Sequence, residues 1–229
     1  MKETIYTIPV MEALENPGPC PFCVMKDGLE HSIIHTLMGP SVAYMEDYVR
    51  TETNRAGFCG RHYKALYESK NRLGLALMVH THLMDINQHL RRHGPKSFKH
   101  LQEIEAACYI CDMAEKSFAR YLDTFFWLFA KEEKVRQSLQ TSNGCCLPHL
   151  AEVYAMAPKK LSGANLRLFY DVLFEVQQAQ MDKLDKDLEW FAKKFDYRYK
   201  DESWRDSKDA IERAVERLTG IKLGEREKE

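Results

Sequence analysis

Four short pairs of metal-binding side chains restrict what this chain can fold into. Cys20-Pro21-Phe22-Cys23 is followed, after 35 residues, by Cys59-Gly60-Arg61-His62, and Cys108-Tyr109-Ile110-Cys111 is followed, after 34, by Cys146-Leu147-Pro148-His149. Each half reads CxxC, spacer, CxxH. The first pair recurs at an offset of 88 residues and the second at 87, so one insertion or deletion in the spacer aligns the halves. The internal repeat extends past these pairs. Met25 corresponds to Met113, Gly57 to Gly144 and Tyr67 to Tyr154, as expected of duplicated supersecondary units.

Two thiolates two residues apart clasp one metal in a tight knuckle, and a CxxH pair does the same with one sulfur and one imidazole. One pair of each kind makes a CCCH-type set of three cysteines and one histidine, the closed tetrahedral arrangement typical of structural zinc. The expected ligands are Cys20, Cys23, Cys59, His62, Cys108, Cys111, Cys146 and His149, holding two zinc ions per chain. The alternative is that the same cysteines hold an iron-sulfur cluster or cycle as redox thiols. Pro-Phe between Cys20 and Cys23 is glutaredoxin-like, and Ile5-Tyr6-Thr7-Ile8 could form a short strand, but nothing downstream reads as the βαβ pattern a redox dithiol needs. Equal spacers favour pairing each CxxC with the CxxH of its own half. The exchanged pairing, CxxC of one half with CxxH of the other, remains open.

Six of the seven cysteines belong to these sets, and Cys145 is left over in the place that Phe58 occupies in the first half. A buried small apolar side chain is the expected role, with a substitute ligand or free thiol as alternatives. Cysteine use of this kind belongs to a reducing compartment. With 33 basic and 34 acidic side chains the formal net charge is -1, so no global field draws the chain to nucleic acid or to a membrane surface. The first residues lack an apolar export signal, and runs such as Leu73 to Val79 fall far short of the roughly 20 residues of a membrane span. A cytoplasmic protein is expected, with a protein partner rather than nucleic acid or membrane.

Helical spacing dominates and strand alternation is nearly absent, so the expected fold class is all-α. One helix runs from Val24 to Met38 and stops at Gly39-Pro40. A second, capped by Ser41, carries Val42, Met45 and Val49 before the polar run Thr51 to Gly57 turns the chain. His62 to Tyr67 restarts a helix. A long helix follows with Leu73, Ala76, Leu77, His80, Leu83, Met84 and Leu90 on its apolar stripe, ending at His93-Gly94-Pro95. From Cys111 a helix with Phe118, Tyr121, Leu122, Phe125, Phe126 and Phe129 should cross the core. The helix after His149 should end at Ala157-Pro158, and a run of about 30 residues from Asn165 is the longest helix. Ser207 is the expected cap of a last helix bearing Ile211, Val215 and Leu218, with Gly224 to Glu229 frayed. The expected organisation is residues 1–94 and 95–196 as the two CxxC/CxxH halves, then a C-terminal extension, 197–229.

Other candidates are weaker. His31 and His35 lie four apart on one helix face, and His82, Asp85 and His89 share another, where a solvated polar face is the plainer reading. His80, on the apolar stripe, reads as a core histidine. Tyr197-Arg198-Tyr199-Lys200 interleaves rings with cations, but Asp196, Asp201 and Glu202 cancel the charge, which favours a docked extension or partner-binding edge. No phosphate loop, nucleophile elbow or HExxH helix is present, so no catalytic residue is named.

The four knuckles, Asn71 to Leu77, Asp123-Thr124-Phe125-Phe126 and Lys194 to Glu202 together resemble an uncharacterised bacterial family, a domain of unknown function found chiefly in anaerobic Gram-positive organisms. Its members carry CPxC, GFCxxH, CxxC and GFCxPH in order. Cys145 departs from the last motif at its Phe position and leaves the ligands intact. The resemblance implies the metal sites and no activity. The resulting expectation is a zinc-binding scaffold or regulatory protein.

Overall fold

The computed structural model describes residues 5–15, 18–41 and 43–223. Among these residues are eleven α-helices and two single-turn 3-10 helices, with no strand, and the fold is all-α. The chain divides into two compact units, one of Met1–Met25 with Arg120–Glu229 and the other of Lys26–Ala119.

Helix α1 spans Thr7–Glu15 and buries Val10, Ala13 and Leu14 at helical spacing. The short strand that residues 5–8 could have formed is instead a turn leading into a helix, because an apolar face repeating every three to four residues outweighs the β preference of single residues. Helix α2 (Pro21–Met38) opens on the first CxxC. Pro21 suits a first helical position, where its missing N–H leaves no bond unmade. After a 3-10 turn at Ala43–Met45, α3 (Asp47–Ala56) continues through the run expected to be a turn, burying Val49, Thr53 and Ala56. Ser41 does not cap it; its hydroxyl donates to the Thr36 carbonyl at 3.0 Å. Val42, expected on that helix, and Gly224 to Glu229 lie outside the described residues.

Helix α4 (Gly60–Glu68) precedes α5 (Arg72–Arg92), which is capped by the Asn71 side chain on the Gly74 N–H. The buried face of α5 is Gly74, Met78 and His82, not the expected stripe: Leu73, Leu83, Met84 and Leu90 are about half exposed or more, and His80 is exposed. Close approach selects the face. A Cβ on Gly74 would lie 2.9 Å from the Tyr44 ring. Helix α6 (Pro95–Glu105) buries no residue, which is why no apolar pattern marked it.

Helix α7 (Tyr109–Lys131) is the core helix the aromatic density predicts, and α8 (Glu133–Gln140) and α9 (Leu147–Lys160) follow. Pro158 lies inside the last turn of α9 instead of ending it. The carbonyl it leaves without a helical donor, Tyr154 O, lies 3.5 Å from the Tyr170 hydroxyl. Helix α10 (Gly163–Lys193) is the longest element, and α11 (Ala210–Thr219) stops at Gly220. Its cap is Asp209 rather than Ser207, and it buries Ala210 and Arg217 while Ile211 and Leu218 are largely exposed.

The core of the first unit is a cluster of rings. Phe22 meets Phe125 edge to face at 5.1 Å, and Phe169 meets Phe126 at 5.3 Å and Phe129 at 5.2 Å, all fully or almost fully buried. The second unit packs Leu37, Met38, Tyr44, Val49, Phe58, Leu66, Met78 and Ile110 together. Phe125→Ala should leave a cavity costing about 3–5 kcal/mol, read as a lowered denaturation midpoint without loss of far-UV helicity under native conditions.

Candidate metal centres

All four knuckles begin helices. Cys59 and Cys146 are the N-caps of α4 and α9, and Cys20 and Cys108 immediately precede α2 and α7, accepting the first i+4 backbone bonds from Val24 and Asp112. Residues i and i+3 of a helix start face the same way, so each pair presents two donors side by side. The sequence dictates this locally, since Cys20 and Cys146 are each followed within two positions by proline. The partial positive charge of a helix start favours the thiolate form that a metal needs.

The structure gathers the eight expected ligands into two groups: Cys20, Cys23, Cys146 and His149 in the first unit, and Cys59, His62, Cys108 and Cys111 in the second. Each CxxC faces the CxxH of the other half, so the pairing favoured by equal spacers is corrected. The compact units are the physical reason. Cys20 and Cys23 fold with residues 120–229, which carry Cys146 and His149, whereas Cys59, His62, Cys108 and Cys111 all lie within Lys26–Ala119. Equal spacers say nothing of which unit a knuckle joins.

In the first cluster His149 Nδ1 lies 3.6, 3.3 and 3.2 Å from the sulfurs of Cys20, Cys23 and Cys146, and Cys23 and Cys146 sulfurs are 3.5 Å apart. In the second, His62 Nδ1 lies 3.3, 3.2 and 3.4 Å from Cys59, Cys108 and Cys111, and the Cys59 and Cys111 sulfurs are 4.0 Å apart. Around a tetrahedral ion with bonds of about 2.3 Å to sulfur and about 2.05 Å to nitrogen, donors are separated by about 3.8 Å for sulfur pairs and about 3.5 Å for mixed pairs. The clusters have those edges, and each could hold one metal ion.

Burial raises the Cys108 thiol, but hydrogen bonds from His62 and from the backbone N–H groups of Cys111 and Cys59 bring it down to about 6. Cys111, half-buried beside Cys108, is pushed up to about 12 by that partial burial and by its neighbour. Burial lowers His62, yet Cys108 and Glu30 outweigh it and lift the imidazole to about 9. At His149 burial is similarly outweighed by Cys146 and Cys20, giving about 10. The Cys20 thiol is driven far below its ordinary value, foremost by Cys145, while the Cys145 thiol is pushed well above its own by Cys20 and then by burial. Cys145 itself is fully buried, as expected of a small side chain in the place of Phe58.

Several supporting residues carry no sequence signal. Arg217 of α11 donates to the Cys145 carbonyl at 2.9 Å and to the Asn143 carbonyl at 2.5 Å, placing a buried cation where thiolate charge collects. Gly220, at the end of the same helix, comes so near that a Cβ there would lie 3.2 Å from Cys146 Sγ. In the second unit Arg61 forks onto Glu30 with bonds of 2.7 and 2.8 Å, and Glu30 faces His62 Nε2 at 3.4 Å. A carboxylate behind a metal-binding imidazole fixes its ring and tautomer. Burial works against the Glu30 carboxylate, but His62 and Arg61 hold its pKa below the usual range.

The repeated Gly57 and Gly144 both have positive φ, +56° and +76°, turning the chain into Cys59 and Cys146. A polar side chain covers each. His82 Nδ1 bonds the Asn54 carbonyl at 2.6 Å with its ring against Gly57, and Gln177 Oε1 accepts from the Cys145 N–H at 2.9 Å against Gly144.

The other candidates separate. His82 is taken up by this contact, whereas Asp85 and His89 meet His100 of α6. His31 and His35 line an open groove of about 360 Å³ with Ile34 and Met38 and join no metal-type cluster among the described residues. Arg198 is bound by Asp196, and the Lys194 ammonium donates to the carbonyls of Tyr199, Lys200 and Glu202, so this segment is held by internal bonds. No helix among the described residues is long and apolar enough to cross a membrane.

Cys20→Ser should shift the His149 imidazole resonances in NMR spectra and leave those of His62 in place, with loss of about one metal ion per chain. Pairing within each half would move His62 instead. No curated protein and no solved structure matches the chain. Residues 1–225 match the family of unknown function DUF6062, and the chain belongs to that family.

Proposed function

We propose that each Cys3His cluster binds one zinc ion as a closed structural site, and that the protein is a zinc-stabilised helical scaffold presenting its surface to a protein partner. The observation that carries this reading is the convergence of four donors at single-ion spacing in each cluster, which fills a tetrahedral sphere and leaves no position for substrate. Exposed Leu73, Leu83, Met84 and Leu90 along α5 support the interaction role. A reducing cytoplasmic setting suits these thiols. The repeat halves, 1–94 and 95–196 with the extension 197–229, are the units of duplication in this reading.

Iron is the second reading. A single iron ion fits the same edges, whereas a cluster places several irons and sulfides between the cysteines, which sulfur separations of 3.5 and 4.0 Å disfavour. Metal analysis of protein purified without air or a histidine tag should give about two zinc per chain and no visible absorption. Iron with broad visible bands would overturn the zinc assignment and turn the function towards electron transfer. Stripping the ion with a chelator should remove roughly 10–16 kcal/mol of apparent stabilisation per site, seen as loss of helical circular dichroism that added zinc restores.

A further inference from the structure

We propose that Asp85, His89 and His100 form a third metal site, chemically distinct from the two cysteine clusters. It would take one divalent ion of borderline hardness through two imidazoles and a carboxylate, with the remaining positions open to water.

Asp85 and His89 are four residues apart on α5 and so share a face. The short turn at His93-Gly94 brings back α6, which packs on α5 and supplies His100. One donor atom from each residue lies within 4.8 Å of the other two. His100 Nε2 is 3.1 Å from Asp85 Oδ2, and the His89 and His100 rings are stacked with centroids 3.9 Å apart at 33°.

Two further observations point to an ion rather than to an ordinary surface ion pair. His89 Nδ1 is buried and has no hydrogen-bond partner among the described residues, and a buried polar atom left so costs about 1–3 kcal/mol. The ring stack brings no donor or acceptor to that nitrogen. The second observation concerns α6, which buries none of its residues and therefore has little apolar anchorage. An ion joining Asp85 and His89 to His100 would fasten it.

The donor set defines the ion. Without sulfur, two nitrogens and one oxygen suit zinc, iron(II), nickel or cobalt better than magnesium or calcium, which prefer oxygen alone. Three protein ligands rather than four leave the sphere incomplete, as in catalytic rather than structural zinc sites. The Asp85 and His100 side chains are 28% and 31% exposed, so the ion would exchange with solvent while those in the closed clusters stay.

The test uses full-length protein with resident metal at both cysteine clusters, titrated with ZnCl2 by calorimetry. One additional ion per chain is expected. His100→Gln and Asp85→Asn should each weaken it at least about tenfold, while His31→Gln leaves it unchanged. Amide exchange across residues 95–105 of the wild type should slow on adding ZnCl2 and not do so in His100→Gln. This protection is measured without substitution, so it decides the matter even if a variant misfolds by circular dichroism. No third ion, or a third ion bound equally by all variants without protection of α6, would overturn the proposal. Because the resident metals are in place beforehand, this outcome is independent of whether they are zinc.

Discussion

A thiolate placed at a helix start is the constraint on which this architecture depends. The same three-residue step that makes Cys20 and Cys23, or Cys146 and His149, adjacent donors also fixes the direction in which the following helix leaves. Four helices have their origins set in this way, two at each cluster. Grouping three sulfurs and an imidazole within 4.8 Å of one another in each cluster would be unfavourable for charged thiolates alone. A divalent cation removes that repulsion, and helix-start amides with Arg217 on one side and Arg61 on the other soften what remains.

The pairing gives each cluster a different mechanical task. Cys23 and Cys146 are separated by 123 positions, while His62 and Cys108 are separated by 46. The longer closure therefore encloses the shorter one along the chain. Loop-closure entropy grows only logarithmically, about 0.6 kcal/mol for each doubling of loop length, so the nested arrangement costs little more than two consecutive loops. In the first cluster a bound ion would tie the start of α2 to the start of α9. Arg217 and Gly220 then bring α11 onto the same point, giving the C-terminal helix a structural reason to be present.

The Cys and His residues that cluster, the helices they start and the aromatic core of α7 are legible in the sequence, because each is written in a local spacing. Features set by distant contacts are not. The buried face of α5 follows the smallness of Gly74 under Tyr44, not the largest apolar stripe, and α6 escaped notice because none of its residues is buried. His100, on α6, carries no such signal, although it meets Asp85 and His89 while His82 turns to the Asn54 carbonyl. The exchanged pairing is likewise set by distant contacts, since Cys20 and Cys23 fold with the residues after 119 and spacer length carries no trace of that.

Identical ligand types in the two clusters do not imply identical surroundings. The duplicated glycine turn persists at Gly57 and Gly144, yet His82 covers one and Gln177 the other. The residue after that glycine is Phe58 in one half and Cys145 in the other. Beside the buried Cys145 thiol the Cys20 thiol is held below its ordinary value. A metal in the second cluster would have the Glu30 carboxylate behind its histidine. The two clusters thus share a Cys3His donor set and differ in the groups around it.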